Sequence, residues 1–307
     1  METRDFYRLE EECEAGFRIL GQCYHLCTSE NNPVIFHNDG EFKVAMNIVA
    51  LTAAIFPDIR VLTFEIMSNH FHFALSGDKE RIETWSRRLV SLLKMHPLLK
   101  ESKETLSALH SKLFPIESLD NIRNVIAYIN RNGFIVNYNS TPFSYKWGAN
   151  NYFFNSEAKS RYDESKVKAT YRQKREMFHS NLADNIPGFW LIDGYVSPLC
   201  FCSIIQAEGL FRNAQHYFSK ISKSVESSSS VAKAIGESLY YLDSELYSVV
   251  AMKCAKEFGC KSPSLIPSEA KVDVAKMMRF DYNASSKQIS RILKMDIATV
   301  KALFPGI

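Results

Sequence analysis

The sequence predicts an α+β fold in which an antiparallel sheet carries helices on one face and an all-α region follows. Three observations lead there. Strand-forming and helix-forming stretches run as strand, helix, hairpin, helix between Gln22 and Asn132. Met67-Ser68-Asn69 reads as a turn joining two β-rich runs, which makes an antiparallel pair. Beyond Phe154 the strand signal largely disappears. That order suits the ferredoxin-like arrangement, in which a sheet packs its helices on one side.

Gln22 to Phe36 is rich in strand formers and turns at Asn31-Asn32-Pro33. A helix is expected from Asp39 to Phe56, where Phe42, Met46, Val49, Ala50 and Ala53 recur at helical spacing, Asp39 is an N-cap and Pro57 lies beyond the end. Ile59 to Ile66 and His70 to Leu75 form the hairpin. Trp85 to Leu93 reads as helix, and the polar stretch from His96 to Phe114 as a mobile helix or loop. Asp120 to Asn132 carries Ile122, Val125, Ile126 and Ile129 on one face, with Gly133 placed to stop the helix. Three regions follow: 1–155 as the α+β domain, 156–240 as a helical, mildly basic connector, and 241–307 as a second helical domain. Ser222 to Ser230 is the Ser-rich break between helical stretches. Residues 156–180 hold seven basic and four acidic side chains, which fits a solvated helix face as well as a phosphate-binding one.

A chain of 307 residues with 46% hydrophobic and 23% charged residues is ordinary for a soluble protein, and no apolar run is long enough to span a membrane. The charged stretch from Met1 to Glu12 lacks a signal peptide's apolar core, so the expected compartment is the cytoplasm. Seven scattered cysteines make a poor disulfide framework; Cys23/Cys27 and Cys200/Cys202 lack zinc-ribbon spacing and are expected to be buried thiols. A formal net charge of +3 tolerates a polyanionic partner without requiring one.

In a strand, period two puts His70 and His72 on one face while Phe71, Phe73 and Leu75 point into the core. Paired imidazoles are good ligands for a divalent metal. On the helix from Asp120, Tyr128 and Asn132 are spaced i, i+4, and Asn124 extends the same polar stripe. By themselves these residues also admit a bland interpretation: a tyrosine packing at a helix edge, and an asparagine satisfying carbonyls before Gly133.

The hairpin Phe64-Glu65-Ile66-Met67-Ser68-Asn69-His70-Phe71-His72-Phe73-Ala74-Leu75 resembles the Met-Pro-Asn-His-hydrophobic-His signature of REP-associated tyrosine transposases, and Tyr128-Ile129-Asn130-Arg131-Asn132 resembles their Tyr-Ile-x-x-Asn helix. The opening strand around Tyr24-His25-Leu26 and the aromatic segment Tyr145 to Trp147 are similar as well, so the resemblance covers roughly residues 20–150. Ser68 departs from the family's proline, and Gly133-Phe134 from its Asn-Pro-Val. The resemblance implies an HUH endonuclease fold. It further implies that Tyr128 forms a 5′-phosphotyrosine link to single-stranded or hairpin DNA, that His70, His72 and Asn132 hold Mg2+ or Mn2+, and that a free 3′-hydroxyl reverses the cut. A homodimer is compatible with this, with the site inside one chain or across two.

Residues 285–304 read as two short amphipathic helices around a three-residue break, resembling a helix-turn-helix that buries Ile289, Ile292, Leu293, Met295 and Val300. Lys294 stands at the usual turn glycine. The expected DNA contacts are Thr299 and Lys301 on the second helix, with Lys287 and Arg291 near the backbone; a helical hairpin that caps the domain or dimerises is the alternative. The function expected is therefore a metal-dependent single-strand DNA nuclease and strand transferase acting on repeat DNA. The competing functions are a catalytically silent protein that recognises the same repeats and a small metal-dependent hydrolase using the histidines alone.

Overall fold

The computed structural model describes residues 3–136, 145–165, 167–183, 188–223, 241, 243–260 and 262–304. Contacts divide the chain into two compact units, Met1–Ser222 and Lys223–Ile307.

The first unit is built round a four-stranded sheet. Its strands are β1 (Cys23–Thr28), β2 (Arg60–Ile66), β3 (Phe71–Ser76) and β4 (Ser111–Ile116), in the order β2-β3-β1-β4 with every neighbour antiparallel. α1 (Thr3–Leu20) precedes it, α2 (Asp39–Ile55) joins β1 to β2, and α3 (Lys79–Met95) and α4 (Lys103–Ala108) join β3 to β4. α5 (Leu119–Val136) follows β4. The expected hairpin is present, closed by Met67 N–H donating to the His70 carbonyl.

Strand parity sorts the side chains into two sets. Phe73 meets Trp85 of α3 with ring centroids 5.0 Å apart, and Phe64 stacks beside it on the same face. His72 points the other way, together with its cross-strand partners Cys27 and Glu65, and with the neighbouring register positions Ala74, His25 and Thr63. α5 covers this second face: Thr63 Oγ1 donates to Asn130 Oδ1 and the Tyr128 ring packs against His72. Helices therefore lie on both faces, not one. The reason is α5 itself, whose buried Ile122, Val125, Ile126 and Ile129 need an apolar surface. With both sides covered, all six residues of β1 and of β3 are buried.

Other differences have local causes. Asn38, not Asp39, caps α2, its side chain accepting from Glu41 N–H. α5 runs through Gly133, because one glycine inside a helix costs only about 1 kcal/mol. β4 falls in the stretch expected to be helix or loop. It is an edge strand paired to β1 alone, the place where Pro115 is tolerated. The opposite edge, β2, is covered: Ile66 N–H donates to the Trp147 carbonyl, Ala149 N–H to that of Phe64, and Ser203 N–H to that of Val61.

Most of the expected connector belongs to the first unit. It contains α6 (Ser156–Ser165), α7 (Tyr171–Phe178), α8 (Ile204–Glu208) and α9 (Ala214–Lys223). It also contains a small antiparallel sheet, β5 (Val167–Lys168), β6 (Trp190–Ile192) and β7 (Tyr195–Val196), so the region beyond Phe154 is not all-α. Strands of two or three residues are too short for periodicity to reveal. The sheet is tied to α2 by Val196 N–H donating to buried Asn47 Oδ1. Of the Ser-rich break, 224–230 lie outside the described residues.

In the second unit the described residues are helical: α10 (Asp243–Phe258), α11 (Ser268–Phe280), α12 (Ser286–Leu293) and α13 (Ile297–Leu303). α12 and α13 are two short helices either side of Lys294-Met295-Asp296, with Ile289, Ile292, Leu293 and Val300 buried and Met295, expected to be buried with them, only half-buried.

Candidate functional site

β1, β3 and α5 bring their functional side chains together because each presents one to the same layer. The His70 and His72 rings lie 5.0 Å apart, as strand parity requires, although His70 sits one residue before β3 begins. The Tyr128 ring is 5.5 Å from His72 and 6.0 Å from His25, edge-on to both. His25 and Cys27 come from β1, where period two puts them on the face of His72. His25 Nε2 lies 3.2 Å from His72 Nδ1. Among the described histidines, cysteines and carboxylates, His25, Cys27 and His72 offer three ligand atoms within 4.8 Å of one another.

The hairpin turn supports the histidines. Asn69 Nδ2 donates to the carbonyls of Glu30 (2.5 Å) and Asn32 (3.2 Å), tying the turn to the loop after β1, and Asn69 Oδ1 lies 2.7 Å from His70 Nδ1. The site is deep: His25 is 1% exposed, His72 0% and Tyr128 3%, with His70 half-buried at its edge. α5 lies over them. Burial holds the His25 imidazole down to about 3 and that of His70 to about 4, and pushes His72 well below 6.5, helped by the two neighbouring rings. All three are neutral at neutral pH, the form that lends a lone pair to a metal.

Behind Tyr128 a buried polar chain holds α5 in place. Thr63 Oγ1 donates to Asn130 Oδ1 (2.5 Å), Asn130 Nδ2 to the Tyr217 hydroxyl (2.7 Å), and that hydroxyl to Asn150 Oδ1 (2.6 Å). The other side of α5 is clamped by Arg123, whose guanidinium donates to both Glu10 carboxylate oxygens and to the Leu210 carbonyl. With Arg212 beside it as well, Arg123 holds the Glu10 carboxyl down to about 2.

The sequence-expected residues fare unequally. His70, His72 and Tyr128 come together. Asn132 is half-buried one turn beyond Tyr128, and Asn124 is held by Asp120 and Lys220. The groups gathered round His72 include His25 and Cys27. Parity puts both on one face of β1, and the pairing of β1 with β3 sets that face beside His72; the sequence expectation treats Cys27 only as a buried thiol. Tyr145 donates its hydroxyl to the Ile66 carbonyl, and Trp147 stacks on Phe42 of α2, so the aromatic segment braces the β2 edge. In the second unit Lys287, Thr299 and Lys301 are exposed, but Arg291 pairs with Asp243 at 3.0 Å and Thr299 bonds the capping carboxylate of Asp296.

No family model, curated protein or solved structure matches this chain. The fold is α+β with a small antiparallel sheet, and among the described residues no helix is long and apolar enough to cross a membrane.

Proposed function

We propose that this chain is a metal-dependent single-strand DNA nuclease and strand transferase of the HUH type, with Tyr128 as nucleophile. The observation that carries the proposal is the Tyr128 ring 5.5 Å from His72, which is itself 5.0 Å from His70. A helix residue and a hairpin far from it in sequence thus form one cluster of phenol and imidazoles. The strand order β2-β3-β1-β4, with α2 and α3 as its crossovers, supports the ferredoxin-like core such enzymes need.

The Tyr128 oxygen attacks phosphorus, the bond to the 3′-oxygen breaks, and the phenolic proton ends on the freed 3′-hydroxyl. The product is a 5′-phosphotyrosine. One phosphodiester is exchanged for another, so rejoining needs no external energy source. A divalent metal bound by His70 and His72 would polarise the phosphate and ease departure of the leaving oxygen. Nitrogen donors with a thiol close by fit Mn2+ or a softer transition metal better than Mg2+, which favours oxygen ligands. The exposed Lys287, Thr299 and Lys301 of the second unit are proposed to hold duplex DNA, with the compartment proposed as cytoplasmic.

A second reading is favoured by one observation, the burial of Tyr128 and His72: a catalytically silent protein that binds repeat DNA. One experiment separates the two. A hairpin oligonucleotide labelled at its 3′ end, incubated with the protein and Mn2+, gives a labelled protein band that Tyr128→Phe abolishes. Tight hairpin binding without an adduct in Mn2+, Co2+ or Mg2+ selects the silent reading, and an adduct surviving in Tyr128→Phe removes this tyrosine from the reaction.

A further inference from the structure

A histidine ligand binds a cation through one ring nitrogen, and the hydrogen bond at the other decides which. At His70 that bond has a fixed polarity. Asn69 Nδ2 faces two carbonyl oxygens, of Glu30 and Asn32. Turning the amide over would set its oxygen against both, so Oδ1 must face His70 Nδ1, 2.7 Å away. An oxygen accepts there only if Nδ1 carries the proton. The lone pair of His70 then lies on Nε2. His72, whose ring lies 5.0 Å from that of His70, has its Nδ1 3.2 Å from His25 Nε2 inside the buried layer.

We infer that Asn69 is a positioning residue that holds the proton of His70 on Nδ1, so that this ring presents Nε2 to a transition-metal cation shared with His72. This rests on the metal half of the proposed function and not on the nucleophile. The asparagine before the histidines thereby acquires a chemical role, since the amide that anchors the turn to the loop after β1 also sets the tautomer of the first ligand.

The test is the long-range nitrogen–proton NMR spectrum of the histidine rings, recorded on the full metal-free chain, followed by titration with Mn2+ alone. Expected are an Nδ1–H signature for His70 in the wild type and its loss in Asn69→Ala. In Asn69→Ala, Mn2+ affinity falls about 10- to 100-fold, the usual cost of removing such a support. A His70 proton on Nε2 in the wild type overturns the inference even if the variant fails to fold, and so does unaltered Mn2+ affinity in a folded Asn69→Ala. If Mn2+ binding behaves as expected while no DNA adduct ever forms, the nuclease reading falls and this inference stands.

Discussion

Asn130 joins three elements through one side chain, accepting from Thr63 of β2 and donating to Tyr217 of α9, while its carbonyl receives Asn150 Nδ2. In Asn130→Ala the Thr63 and Tyr217 hydroxyls keep their burial and lose this partner. Each buried group stranded that way costs about 1–3 kcal/mol, so the variant is expected to lose about 2–4 kcal/mol in urea unfolding at unchanged slope. A loss under about 1 kcal/mol would mean that the chain of polar groups is not what seats α5. His70, His72 and Tyr128 were legible in the sequence because strand parity and helical spacing are local rules. Asn130 was not: an asparagine in a helix looks alike whether it meets water or a threonine 67 positions away.

At the scale of elements, two close fits make predictions. Gly148 pairs with Glu65 at the outer edge of β2, where an added Cβ would lie 2.9 Å from the Phe64 carbonyl oxygen. Backbone cannot swing aside as a side-chain tip can. Gly148→Ala should therefore destabilise the first unit by about 1–3 kcal/mol, with increased hydrogen exchange at Ile66 and Ala149, the amides that bond this edge. Lys294 closes α12 in the left-handed region at φ 52°, where a side chain costs roughly 1 kcal/mol and glycine costs little. Lys294→Gly is expected to stabilise the second unit by up to about 1 kcal/mol in its thermal transition; a loss would mean that the lysine side chain contributes contacts of its own. The two short helices α12 and α13 were readable because each boundary is a local signal, Ser285 and Asp296 capping them. β4 was not readable, because an edge strand with a proline is held by its neighbour rather than by its own composition.

Across the whole molecule, buried histidines tie stability to pH. His25 is held down to about 3, and His70, His96 and His216 to about 4, against an ordinary 6.5. Below 6.5 the unfolded chain takes up protons that the folded chain refuses, so stability falls as pH drops from about 6.5 towards these folded values. For the nearly fully buried His25 and His96 the slope is about 1.4 kcal/mol per pH unit each. The metal-free protein should therefore melt progressively lower between pH 6.5 and 4.5. His96→Asn keeps an acceptor for Leu98 N–H, which now bonds His96 Nδ1, and should make that decline shallower. A melting temperature flat over this range would contradict the burial of these rings. The sequence by itself determined the α+β order of the core, the parity of His70 and His72, the helix bearing Tyr128 and the two short helices α12 and α13, since each follows from spacing within one element. Only the tertiary structure decided that α5 lies over the histidine face, that β1 adds His25 and Cys27 beside His72, and that the layer is closed to solvent. Those outcomes depend on which face of the sheet a buried helix occupies, and the helix's apolar stripe requires a face without specifying which.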